Sequence, residues 1–443
     1  MTWYEKSVAY QIYPLGLTGA PYENDGVLEH RLLQLIDNGW IDHMAKLGVG
    51  CVILNPVFQS EAHGYDTIDY RMVDVRLGDH EDLRKVVDAC HEKGIRVLLD
   101  GVFNHVGRSF WAFADVLEKR QASPYAGWFN INWDGQNEYG DNLSYENWAG
   151  VPYLVKLNHN NFELNDYIAD TIRAWEKDYG IDGLRLDVAY CLDLGFLGYL
   201  RQIANELGEK RGEKFLLLGE TMFGDYNTWM NDNACDTVTN YEQYKSLWSA
   251  LNEANMHELA YALERQSGPH DWDLYTGKHL LDFADNHDVP RLATTLKDKR
   301  HLYSAYALLY AMVGVPCVYY GSEWGIEGEQ KFGDHELRPA LDAPEWNELT
   351  DYIAALGKAR NGSEALQVGD YTQISVAPQQ LIFQRKSEHE RVIVMVNASP
   401  DPVVLHFDAQ CGCGVDLITD THHDFGAGSE LAPFEAKYVL CER

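Results

Sequence analysis

Four short apolar runs in this chain end in carboxylates. They are Arg96-Val-Leu-Leu-Asp100, continuing to Asn104-His105; Gly183-Leu-Arg185-Leu-Asp187; Phe215 to Gly219-Glu220; and Leu280 to Asp285-Asn-His287-Asp288. Arg185 and Asp187 are two residues apart, so on a strand they point to the same face. A guanidinium beside a carboxylate lowers its pKa and keeps it ionised, the state required of a fixed nucleophile. Glu220 follows on the next run. A neighbouring anion and partial burial would raise its pKa and let it donate a proton. Carboxyl groups on adjacent strands can lie roughly 5–5.5 Å apart, the separation that suits a retaining glycosidase. Singly these signals are weak. One strand-end aspartate is as often a cap or loop anchor, and a lone His105 or His287 is ordinarily a satisfied structural histidine. A His-Asp alternation without a third close ligand is poor support for zinc. The ordered set is far more specific than any member.

Such groups can act together only if their strands are neighbours with ends on one side. The sequence supplies that arrangement. Strand-like runs at Val8–Tyr13, Cys51–Asn55, Arg96–Phe103, Gly183–Val188, Phe215–Glu220, Asp236–Asn240, Leu280–Asp285 and Pro316–Tyr320 alternate with amphipathic segments. The spacing of Leu28, Leu32, Leu35, Ile36, Trp40 and Met44 predicts one helix over Val27–Leu47. Another is expected around Leu83–Cys90, and a third from about Leu164 to Tyr179. Eight βα units imply an α/β fold, a closed (β/α)8 barrel with its site at the C-terminal ends of the strands. Residues 105–163, rich in Asn, Trp, Tyr and Gly and without a clear period, form an insertion after strand three. From Tyr371 to Tyr438 short alternating runs predict an antiparallel β domain. The expected division is barrel 1–104, insertion 105–163, barrel 164–360 and C-terminal β domain 361–443.

Composition narrows the partners. The 443 residues carry 36 Lys+Arg against 68 Asp+Glu, a formal charge of −32, with 46 % hydrophobic residues. That surface repels phosphate and no basic run offsets it, which argues against nucleic acid, an anionic membrane surface or a polyanionic substrate. A neutral substrate fits. The eight cysteines sit mostly in apolar runs, no CxxC occurs, and Cys411-Gly-Cys413 is too close for an ordinary disulfide. The first residues lack a signal-peptide pattern and no 18-residue apolar stretch occurs, so a cytoplasmic location is expected.

The motifs Asp100-Gly-Val-Phe-Asn-His105, Gly183-Leu-Arg-Leu-Asp-Val188, Gly219-Glu220 and Phe283-Ala-Asp-Asn-His-Asp288 occur in the order seen in the α-amylase family of glycoside hydrolases, GH13, which the chain resembles. Gly48-Val-Gly-Cys-Val-Ile-Leu-Asn-Pro56 and Gly314-Val-Pro-Cys-Val-Tyr-Tyr-Gly-Ser-Glu323 agree. The resemblance covers nearly the whole chain, including the insertion (domain B) and the C-terminal domain. It implies that Asp187 is the nucleophile, Glu220 the general acid/base, and Asp288 the third carboxylate, holding the sugar 2- and 3-hydroxyls. Arg185 would orient Asp187, His105 and His287 would bond sugar hydroxyls, and Tyr65 would stack under the same sugar. Asp334 and Arg338, in Gly333-Asp-His-Glu-Leu-Arg-Pro339, resemble the pair that binds the next sugar out. Asp100 and Asn104 would shape the site. The implied substrate is an α-glucan oligosaccharide. Calcium occurs in many relatives beside an Asn at the position of Asn104, but no cage of six to eight oxygen ligands is identifiable, so no essential metal or other cofactor is expected.

Within the family, Leu154-Val-Lys-Leu-Asn158 and Ser123-Pro-Tyr-Ala-Gly-Trp-Phe129 resemble the neopullulanase and cyclomaltodextrinase group, which implies cyclodextrin, maltodextrin or pullulan-type substrates and α-1,6 tolerance. Val188-Ala-Tyr-Cys191 and Thr221-Met-Phe223 depart from that group, as does a start almost directly at the first barrel strand. An α-amylase acting on linear maltooligosaccharides therefore stands beside the first reading. A transglycosylase or phosphorylase shares the three carboxylates and also stays open, and oligomeric state is unassigned. A non-catalytic glucan-binding protein would have lost one of the carboxylates, and all three are present.

Overall fold

The computed structural model describes residues 2–331 and 333–441. Eight parallel strands form the central sheet: β1 (Ala9–Ile12), β2 (Cys51–Leu54), β3 (Arg96–Gly101), β4 (Gly183–Leu186), β5 (Leu216–Gly219), β6 (Thr237–Val238), β7 (Leu281–Phe283) and β8 (Val315–Tyr319). They run in the order β6-β5-β4-β3-β2-β1-β8-β7. A parallel bridge from Thr239 to Leu281, with the Asn240 amide donating to the Leu281 carbonyl, joins the two ends and closes the barrel. All eight expected strands are present. They read as continuous apolar runs because helices cover one face and the barrel interior the other. Gly183 is needed where β4 squeezes between its neighbours: a Cβ there would lie 2.4 Å from the Leu216 carbonyl oxygen.

Polar caps set the helix boundaries. Asp79 starts His80–Glu92 with a capping box, Asn161 starts Phe162–Tyr179 and Asp193 starts Leu194–Arg211. Gly180 and Gly212, at φ 77° and 75°, end the last two. Two expectations need correction. The single helix over Val27–Leu47 is instead a 3-10 turn, Arg31–Leu33, followed by Gln34–Asp37 and Trp40–Lys46. Gly39 at φ 81° breaks it, and Val27 and Leu28 are exposed on a loop. Apolar spacing alone does not register such a break. The fifth βα unit also lacks its α-helix, having only a 3-10 turn, Tyr226–Thr228, between β5 and β6. The side chains of Asp225 and Asn231 accept from the amides of Asn227 and Asn233, and these local bonds compete with the helical ladder.

After β3 the chain forms small antiparallel ladders, His105–Gly107 with Val151–Lys156 and Asn147–Trp148, over one side of the barrel mouth. After helix Glu348–Asn361 comes a six-stranded sheet built from Asp370–Ala377, Gln380–Lys386, Arg391–Asn397, Ala436–Cys441, Cys413–Asp416 and Thr421–Asp424. One fully buried arginine, Arg385, fastens it to the barrel, and a second, Arg360, ties the preceding helix to barrel carbonyls and to Leu366. Arg385 donates to the carbonyls of Ala311 and Gly369, and Arg360 to those of Tyr310, Gly314 and Leu366. Ala311 ends the helix His301–Ala311, whose last carbonyls have no intrahelical partner. Arg385→Ala would strand several buried acceptors. It is expected to destabilise by on the order of 3 kcal/mol, read as a lower Tm with the initial rate at 25 °C little changed. An unaltered melt would show that the clamp contributes nothing.

Candidate active site

The register of three neighbouring strands assembles the centre. Arg185 on β4 is level with Asp100 on β3 and Leu218 on β5, and Leu186 is level with Gly219. Asp187 and Glu220 therefore leave their strands side by side. The guanidinium ties them together: Arg185 Nη1 donates to both oxygens of Asp100 (2.9 Å each) and to Asp187 Oδ1 (2.9 Å), and Nη2 lies 2.8 Å from Glu220 Oε1. The Val188 amide donates to Glu220 Oε2 (2.9 Å). Val188 has φ 39°, a left-handed conformation that a β-branched side chain adopts only under constraint. That turn directly after Asp187 aims the amide at Glu220.

Three buried carboxylates thus face one cation. Burial pushes Glu220 above the usual carboxylate range, and the Asp288 charge adds to this against the pull of Arg185. Burial also pushes Asp187 up, with Arg185 opposing and Glu220 reinforcing the rise. Arg185 lowers Asp187 as expected, but one guanidinium shared among three buried carboxylates does not offset the desolvation, and the net direction is upward. Asp187 and Glu220 titrate as a pair in which protonating one favours ionising the other.

The second half of the site comes from the loops after β7 and β8. Asp288 lies 2.9 Å from Arg338 Nη2 and 3.1 Å from His287 Nε2. Burial opposes ionisation there, but the Arg338 guanidinium, with His287 Nε2 beside it, holds Asp288 below its usual value. Arg338 also contacts Asp334 at 3.1 Å and donates from Nε to the His287 carbonyl. Gln11 Nε2 lies 3.1 Å from His287 Nδ1, which fixes Nδ1 as acceptor and leaves the proton on Nε2, facing the Tyr65 hydroxyl at 2.5 Å. Burial pulls His287 and His105 down to about 3, so both are neutral. Tyr65 stacks on His287 (5.6 Å, 11°) and donates to Asp100. Asp100 is almost fully buried and spends its oxygens on Arg185, Asn55 and Tyr65, so it shapes the site from beneath. Asn104 is equally buried, with its amide against His105 Nδ1.

These groups line one open cleft of about 900 Å³ at the C-terminal mouth of the barrel. Tyr65, His105, Asp187, Glu220, Asp288, Asp334 and Arg338 all reach it, while Arg185 and His287 lie just behind. The structure thus brings every proposed site residue to one place. It adds residues that spacing did not mark. Tyr153 packs edge-on to His63, while Trp148, an insertion tryptophan whose type already suits packing on a sugar ring, sits 5.5 Å from His105. Tyr190 and Met222 flank Glu220, with the Tyr190 hydroxyl against the Met222 sulfur, and the exposed Phe223 ring lies 5.2 Å from Tyr190. Tyr190, Met222 and Phe223 stand where the sequence departs from the neopullulanase pattern, and that departure was their only signal. A His/Asp group close enough to share an ion, His30, Asp79 and Asp82, lies elsewhere, at the cap of helix His80–Glu92.

The profile described as "Alpha amylase, catalytic domain" matches residues 36–359. The chain belongs to the α-amylase family of glycoside hydrolases. It is 29 % identical over 421 residues to a cyclomaltodextrinase of Bacillus sp., a match covering 89 % of this chain and 73 % of that one. Neopullulanase 2 of Thermoactinomyces vulgaris is 31 % identical, over 74 % of this chain and 57 % of its own. The solved cyclic α-maltosyl-(1→6)-maltose hydrolase of Arthrobacter globiformis superposes with a TM-score of 0.82 at 26 % identity and full coverage of both chains. The family fold therefore holds over the described residues, and the cleft opens at the C-terminal mouth of that barrel.

Proposed function

We propose that this α-amylase-family hydrolase cleaves α-1,4-glucosidic bonds of maltooligosaccharides and cyclodextrins by double displacement with retention, and accepts α-1,6 links. The observation that carries the reading is the clustering of Asp187 and Glu220 on the two arms of one guanidinium, with Asp288 across the cleft. Glu220 protonates the glycosidic oxygen as Asp187 attacks the anomeric carbon. Water, activated by Glu220 as base, then releases the sugar. Asp288 and neutral His105 and His287 hold hydroxyls of the sugar on Tyr65. Asp334 and Arg338 hold the next sugar. The cyclomaltodextrinase and neopullulanase relatives, and the neighbour whose name describes a cyclic glucan with a 1→6 link, support the substrate class.

Product time courses on β-cyclodextrin, maltoheptaose and pullulan test it. Loss of cyclodextrin and release of panose from pullulan are expected. Cleavage of maltoheptaose alone would overturn the cyclic and α-1,6 part and leave a linear-chain α-amylase.

Tyr190 and Met222 flank Glu220, and the exposed Phe223 ring packs against Tyr190 at the rim, so this side faces the leaving group. An aromatic contact contributes about 0.5–1.5 kcal/mol beyond its area. Phe223→Ala is therefore expected to raise KM for maltoheptaose roughly three- to tenfold with kcat nearly unchanged. An unchanged KM would remove Phe223 from the binding surface.

A further inference from the structure

Outside the cleft, two thiols of the C-terminal domain meet. Cys441 ends the strand Ala436–Cys441, and its partner across the ladder is Gly414. Cys411 stands three residues before Gly414, in the loop that enters the strand Cys413–Asp416. The two Sγ atoms are 2.8 Å apart. Less than an ångström of approach separates them from a bond of roughly 2.05 Å. Both residues are partly exposed, and both pack on the small core of Ile382, Ile393, Met395 and Leu431. Cys51, Cys90, Cys235 and Cys317 are buried, which makes them inert structural thiols.

We propose that Cys411 and Cys441 form a site of reversible oxidation, at which a disulfide ties the last described strand of the chain to the loop before Cys413. The oxidant is a low-molecular-weight disulfide such as oxidised glutathione. The Cys411 thiolate attacks one sulfur of that reagent, forming a mixed disulfide and expelling one thiolate. The Cys441 thiolate then attacks Cys411 Sγ, forming the Cys411–Cys441 bond and expelling the second. The protein loses two thiol protons and two electrons, and the reagent is reduced to two thiols. Burial and the neighbouring Cys411 hold Cys441 up at about 12. In a reducing compartment the pair stays open, and it closes when the thiol pool is oxidised.

The test uses the full chain. After incubation with oxidised glutathione, thiols are counted under denaturing conditions and the protein is digested without reduction for mass spectrometry. The expected result is the loss of two of the eight thiols, one cross-linked peptide joining Cys411 to Cys441, and recovery of all eight with dithiothreitol. Cys411→Ser and Cys441→Ser should each abolish the cross-link, and Cys413→Ser should retain it. A link through Cys413, stable glutathione adducts in place of the cross-link, or eight thiols throughout in the wild-type protein would each overturn the proposal. The wild-type peptide map decides the matter even if a serine variant fails to fold.

Discussion

Asp187→Asn is expected to lower kcat on maltoheptaose by about four orders of magnitude or more, as removal of a nucleophile does elsewhere, while maltooligosaccharides still bind. The amide nearly matches the carboxylate in shape but cannot form the glycosyl ester. Binding should survive because the groups that hold sugar come from other elements: Tyr65 from the loop after β2, Asp288 from the loop after β7, and Arg338 from the loop after β8. The substitution also removes one negative charge from the cluster around Arg185, so the fold should tolerate it. Turnover would be followed by reducing-end release, and binding by calorimetry with maltoheptaose. Near-normal turnover would take the nucleophile's role away from Asp187. Loss of binding together with turnover would point instead to collapse of the Arg185 cluster.

Glu220→Gln should cost about a thousandfold in kcat/KM on maltoheptaose, within the usual range for general acid–base catalysis. The loss should be far smaller in the glycosylation step of an α-maltosyl fluoride, whose leaving group needs no proton. The pH dependence carries the sharper signature. Burial and Asp288 raise Glu220 above the usual carboxylate range. The acid must be protonated for the first step, so activity is present below this raised pKa and falls as pH rises through it. The alkaline limb of kcat/KM should accordingly lie above the ordinary glutamate value in the wild type and disappear in Glu220→Gln. An alkaline limb that persists unshifted in the variant would assign it to another group. An equal loss on the fluoride and on maltoheptaose would mean that Glu220 is not the proton donor.

The barrel strands and the groups at their ends were legible in the residue pattern. Buried parallel strands must be continuous apolar runs, and a polar residue closing such a run is visible without coordinates. The two-residue period put Arg185 and Asp187 on one face, and the strands' order placed Glu220 beside them. The ordered motifs then carried the family, which the match over residues 36–359 shows. Tertiary structure decided what local pattern does not encode. Whether residues 27–47 form one helix or three short pieces depended on a glycine turn and on what the neighbouring loop buries. The upward shift of Asp187 depended on how many carboxylates share Arg185 and on how deeply they are buried, quantities that belong to the assembled barrel. Trp148, Tyr190 and Met222 come from three separate loops, and only their convergence around Glu220 and His105 makes them part of one cleft. Strand chemistry is periodic and short-range, so the sequence displays it. The cleft wall is built from contacts between residues far apart in the chain, which have no period to read.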